Sequence, residues 1–71
     1  MPGPDLVNHQ RMRRAIGELP AKMQAVYRRH LFDERDYSAI AAELGLDVHE
    51  VEQLIAQSIV LIDRWLRRPG L

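Results

Sequence analysis

Seventy-one residues, 46% of them hydrophobic and 28% charged, make one small domain, because domains of this kind average on the order of 100 residues. Ten Lys and Arg offset ten Asp and Glu, and the lack of cysteine excludes a disulfide framework, a thiolate zinc site and a cysteine nucleophile. No apolar run approaches the roughly 20 residues that span a bilayer, and the opening Met-Pro-Gly-Pro-Asp lacks the basic flank and apolar stretch of an export signal, so a cytoplasmic chain without membrane association is expected.

Apolar residues recur at helical spacing and never alternate for long, which predicts an all-α fold: a small four-helix domain with a C-terminal helix-turn-helix and a long last helix. The domain is expected over 5–68, with residues 1–4 and 69–71 as disordered ends. The first helix opens at Asp5, a good N-cap, and carries Leu6, Met12, Ile16 and Leu19 on one side. Pro20 opens the second, where a missing N–H is harmless, and Met23, Val26, Tyr27 and Leu31 follow until an end near Phe32. Asp33-Glu34-Arg35-Asp36 is a polar turn whose last residue caps a third helix with Tyr37, Ile40, Ala41 and Leu44 facing inward. Gly45 stops that helix in the left-handed conformation, and Leu46 packs beneath the turn. Asp47, three residues before Glu50, has the spacing of a capping box and starts a fourth helix. That helix runs to Arg67, before Pro69-Gly70 forbids continuation.

The last helix is apolar over a wide arc of Val48, Val51, Leu54, Ile55, Ile59, Leu61, Ile62, Trp65 and Leu66, about 160° where a core-facing helix needs about 100°. Two readings follow. Trp65 and its neighbours cover the ends of the first two helices, or Leu54, Leu61 and Trp65 form a rim for a partner or a second copy. Charge is also unevenly placed. Residues 9–30 hold Arg11, Arg13, Arg14, Lys22, Arg28 and Arg29 against Glu18, whereas 31–63 hold eight acidic residues against Arg35. The basic residues are either a solvated face or a surface for an acidic partner, and neighbouring copies have complementary halves for head-to-tail pairing.

Catalysis has little support. Ser38 and Ser58 are the hydroxyl candidates besides the tyrosines, and no histidine lies at a spacing that would bring it beside either. His9, His30 and His49 are about twenty residues apart without the i, i+4 pairing of metal ligands, so each is expected at the surface or at a cap. Glycine-rich phosphate loops are absent. Neither an enzyme, a metal nor a cofactor is expected.

Leu19-Pro20, then Tyr37-Ser38-Ala39-Ile40-Ala41-Ala42-Glu43-Leu44-Gly45-Leu46, then Val48 and Val51 resemble region 4 of bacterial sigma factors, and within it the extracytoplasmic-function group. In that group a Leu-Pro opens the second helix, Tyr-x-x-Ile-Ala-x-x-Leu-Gly forms the first helix of the motif, and Val-x-x-Val starts the recognition helix. The likeness runs over about residues 10 to 67. It implies a domain that packs on the β flap of RNA polymerase and reads the upstream promoter element. Because the promoter-melting part of a sigma factor has no counterpart here, the expected role is a stand-alone modulator of initiation.

Departures qualify this. Where the family usually shows Glu-Gly-x-Ser, this chain has Asp33-Glu34-Arg35-Asp36, and Ala39 stands where Glu is frequent. Reading-helix positions often filled by Thr, Lys, Arg and Arg hold Glu50, Glu52, Leu54 and Gln57. Affinity for duplex DNA comes mainly from cations at phosphates, so an acidic probe helix is repelled as it approaches. The residues expected at DNA are Glu50, Gln53, Leu54 and Gln57 at bases, with His49 and Arg64 at the backbone. A second reading is a mimic that has lost DNA reading and binds an anti-sigma factor, the polymerase flap or a second copy through Leu54, Leu61 and Trp65, with Asp47, Glu50 and Glu52 supplying charge. A homodimerisation module through the last helix is the third.

Overall fold

The computed structural model describes residues 3–67, with side chains from residue 10 onward. Readings that concern Leu6, His9, Arg68 and the tails at 1, 2 and 69–71 lie outside the described residues. Four helices follow the expected order: α1 (Gly3–Gly17), α2 (Ala21–Leu31), α3 (Tyr37–Leu44) and α4 (Val48–Leu66), with no strand among the described residues. α1 begins two residues before Asp5 and so already occupies positions 3 and 4, which the sequence assigns to a disordered end. Pro4 falls in its first turn, where no N–H is needed. Pro20 stands just ahead of α2 rather than within it, at φ −52 and ψ 149, with no side-chain cap.

α4 is the axis of the domain. Its 19 residues, about 28 Å at 1.5 Å per residue, pack against all three other helices, while α1 and α3 do not meet. Val51, Ile55, Ser58 and Ile62 form its buried stripe at helical spacing and close on Ala15, Ile16 and Leu19 from the α1 end, Val26 and Tyr27 from α2, and Ile40 and Ala41 from α3. Ser58 is the one polar residue in this core among those described, and its hydroxyl donates to the Leu54 carbonyl at 2.6 Å, one turn back. Burial pushes the Tyr27 hydroxyl above its ordinary pKa of 10.0. The wide apolar arc is not wholly buried: Val48 is 39% and Ile59 51% exposed. The physical reason is angular: at about 100° per residue the buried stripe from Ser58 to Ile55 is only about 60° wide, and Val48 and Ile59 lie about 20° and 40° beyond its edge.

Local chemistry fixes the ends. The Asp36 carboxylate accepts from the Ala39 N–H at 2.8 Å, and that of Asp47 accepts from the Glu50 N–H at 2.8 Å. Each such cap contributes about 1 kcal/mol. The capping box at Asp47 is only half made, because the Glu50 carboxylate lies 3.5 Å from Lys22 Nζ in α2. Gly45 adopts φ +68, and its N–H and that of Leu46 both donate to the Ala41 carbonyl. Between α2 and α3, His30 sits half-buried between two phenol rings, with centroid separations of 6.1 Å to Tyr27 and 5.6 Å to Tyr37. It is therefore a packing residue that joins two helices, not the surface or capping histidine expected.

Glu34 has φ +51, the left-handed region that side chains with a Cβ rarely adopt. This is the position where the resembled family usually carries glycine, the residue that suits such a backbone best. The turn is held by the Arg35 N–H donating to the Arg29 carbonyl at 3.1 Å. Left-handed geometry costs an L-residue on the order of 1 kcal/mol. Glu34→Gly is accordingly expected to stabilise the domain by about 0.5 to 1 kcal/mol, read as a higher urea midpoint at unchanged slope. A lower midpoint would show that the Glu34 side chain contributes more than its backbone costs.

Candidate nucleic-acid interface

α3, the Gly45 turn and α4 form the helix-turn-helix, and its angle is set by two side chains with no exposure at all, Ile40 of α3 and Val51 of α4. With the corner locked, the residues of α4 that point away from Val51 and Ile55 are fixed in direction. At about 100° per residue, Gln53, Arg64, Gln57, Glu50, Leu61 and Leu54 follow one another at about 20° steps around the helix, making a single face about 100° wide. Gln53, Gln57 and Arg64 are exposed, while Glu50, Leu54 and Leu61 are half-buried. Five of the six residues expected at DNA therefore share one face, and exposed His49 lies at its margin.

The residues expected at a protein partner are divided. Leu54, Leu61 and Trp65 lie on one strip at the edge of the core, but Trp65 is half-buried against α1 and, with Ala15, Glu18, Leu19, Leu61 and Arg64, lines a cavity of about 240 Å³. Glu52 projects from the opposite flank of α4, and the Asp47 carboxylate is occupied by the Glu50 N–H. The apolar residues most open to solvent on α4 are Ile59 and Val60, each 51% exposed. The apolar arc of the sequence has Ile59 at its edge and does not include Val60, which faces directly away from the core. The signal that could have found Val60 is its position about 180° from Val51 on the helical wheel.

Much of the charge separation seen along the chain is consumed within the fold. Lys22 meets Glu50 at 3.5 Å, Arg29 and Arg35 meet Glu43 at 3.1 and 3.3 Å, and Arg67 meets Asp63 at 3.0 Å. Arg11 donates to the Leu66 carbonyl at 2.8 Å, at the end of α4 where backbone acceptors lack helical partners. Arg28 donates to the Gln24 side chain at 3.2 Å, and the Arg13 guanidinium lies 5.9 Å from the Phe32 ring centroid. Arg11, Arg13, Arg29 and Arg35 thus tie elements together, whereas Arg28 and Arg67 make only contacts one turn away within their own helices. Each exposed pair is worth about 0 to 1 kcal/mol, but together they place a cation beside Glu43 and Glu50 and lower the negative potential of the motif. Among the described residues, no ion pair reaches Arg64, Glu52 or Arg14. No group of three His, Asp or Glu side chains able to hold a metal occurs among them either.

A family model described as "Sigma-70, region 4" matches residues 9–60. No curated protein and no solved structure matches the chain.

Proposed function

This chain belongs to the sigma-70 region 4 family, a family of transcription proteins, and from that premise we propose that it acts as a stand-alone region 4-like helix-turn-helix protein of the cytoplasm. In this reading it belongs with the extracytoplasmic-function group, contacts RNA polymerase and offers the outer face of α4 to promoter DNA. The observation that carries the DNA arm is the single face of α4 on which Gln53, Gln57 and Arg64 are exposed, with the Glu50 charge met by Lys22. Glutamine amides on such a face suit adenine edges, and Arg64 suits a flanking phosphate. With few cations on the face, binding is expected to be weak and to depend on salt through few phosphate contacts.

Titration of a labelled promoter duplex at several salt concentrations tests this. Arg64→Ala is expected to reduce the slope of log affinity against log salt by about one, and Gln57→Ala to flatten the preference among bases by about 1 to 3 kcal/mol per site. No duplex binding at low salt would remove the DNA arm.

A second reading is favoured by one observation: on a flank of α4 away from the glutamines, Glu52 has no ion-pair partner among the described residues and Ile59, seven residues on, is 51% exposed. Such a surface suits a mimic that engages an anti-sigma factor or the polymerase flap without reading DNA. Binding of the isolated flap domain together with absent duplex binding supports this reading over the first.

A further inference from the structure

We infer that α4 is a self-docking helix, and that two copies of this chain associate through an antiparallel α4 pair along the stripe Glu50, Leu54, Gln57, Leu61 and Arg64. These residues recur at alternating spacings of four and three, the interval that keeps one stripe of a helix facing another. The stripe is apolar and amide-bearing in its middle, negative at its start and positive at its end. Its middle adjoins a shallow, nearly apolar hollow of about 300 Å³ lined by Met23, Gln57, Val60 and Leu61, where Val60 is 51% exposed.

The charge order selects both occupant and direction. A parallel pair would set Glu50 against Glu50 and Arg64 against Arg64, whereas an antiparallel pair about a two-fold axis at Gln57 sets each Glu50 against the partner's Arg64. In the same register Leu61 meets the partner's Leu54, Val60 meets the partner's Gln53, and the two Gln57 amides meet on the axis. No ion pair engages Arg64 among the described residues, and the Glu50 side chain remains 45% exposed beside Lys22. A surface that is complementary to itself in one orientation is the signature of an isologous contact. Because this face is also the one offered to DNA, self-association and duplex binding exclude each other; the inference itself does not depend on DNA binding.

Sedimentation of the full chain from micromolar to millimolar concentration tests the pair without DNA present. The weight-average mass is expected to climb from 8.2 kDa toward twice that value. Val60→Arg, at an exposed position that leaves the core untouched, is expected to hold the chain as a monomer with unchanged helicity. Glu50→Arg and Arg64→Glu, each alone, are expected to weaken association by about tenfold or more, since each sets like charges together at both ends of the stripe. An equimolar mixture of those two variants restores opposite charges at both ends and is expected to associate within a few-fold of the parent. A monomer at millimolar concentration, a Val60→Arg chain that associates like the parent, or a mixture no better than its components would overturn the inference.

Discussion

Ile40→Ala is expected to remove a large part of the stability of this domain, about 2 to 5 kcal/mol, because it empties a fully buried site that cannot collapse. A chain of 71 residues at about 0.05 to 0.15 kcal/mol per residue has a total of only about 4 to 11 kcal/mol, so the loss is about half of it. Ile40 sits where α3 closes on the domain, beside Val51 and Ile55 of α4 in the same buried cluster. Its α3 has eight residues, too few to persist without tertiary packing. The loss should therefore appear as a cooperative fall of the whole urea transition, with Ile40→Val costing about 1 kcal/mol and keeping the same slope. An Ile40→Ala chain that loses less than about 1 kcal/mol would mean that the corner is not packed on α4 at all.

The sequence made the helix-turn-helix legible because both ends of α3 and the start of α4 carry a residue with a local reason to be there. Asp36 and Asp47 are side-chain acceptors placed three residues before orphan amides, Gly45 is free to turn left-handed, and Ile40, Ala41, Val51, Ile55 and Ile62 repeat with the period of one helical face. These signals lie within a few residues of the structure they determine. What was illegible depends on pairing across the chain. Nothing in the order of residues told that Lys22 would reach Glu50, or that Arg29 and Arg35 would both reach Glu43, so the acidic second half read as more negative than the folded motif is. For Trp65 the sequence leaves two readings open, a cover for the helix ends or a partner rim, and its place beside Ala15, Glu18 and Leu19 accords with the first.

The candidate site shows the same division. That Gln53, Gln57 and Arg64 share a face, and that Val60 opens to solvent, follows from helical periodicity alone, whereas the closing of Leu54 and Leu61 to half-buried depends on what packs beside α4. Glu34 is a third kind of case. Its difference from the glycine usual in the resembled family is visible in the sequence, whereas the φ of +51 that makes the position costly for a side chain is visible only in the fold. The turn between α2 and α3 is held through the Arg35 amide, the Asp36 cap and the tilted ring contacts of His30.

Gly45→Ala is expected to cost about 1 to 2 kcal/mol, and the cost is conformational alone. A Cβ at this position meets no heavy atom within 4 Å, so sterics with the rest of the fold do not enter. The backbone is at φ +68, where an L-residue loses about 1 to 2 kcal/mol, and it cannot relax without breaking the donation of the Gly45 and Leu46 amides to the Ala41 carbonyl. Gly45→Asn, whose short amide tolerates the left-handed region, is expected to lose markedly less than the alanine variant, and Gly45→Val markedly more. That ranking distinguishes backbone strain from packing, because a packing origin would order the three variants by volume and set asparagine below alanine. Thermal unfolding followed by helicity measures it: at this chain length each kcal/mol shifts the midpoint by roughly 4 to 8 °C. The functional consequence follows from position. Gly45 is the pivot between α3 and the face of α4 that carries Gln53, Gln57 and Arg64, so a variant that folds with a displaced turn re-aims that whole face at once. Equal midpoints for the glycine and alanine chains would show that the left-handed turn is not what joins the two helices.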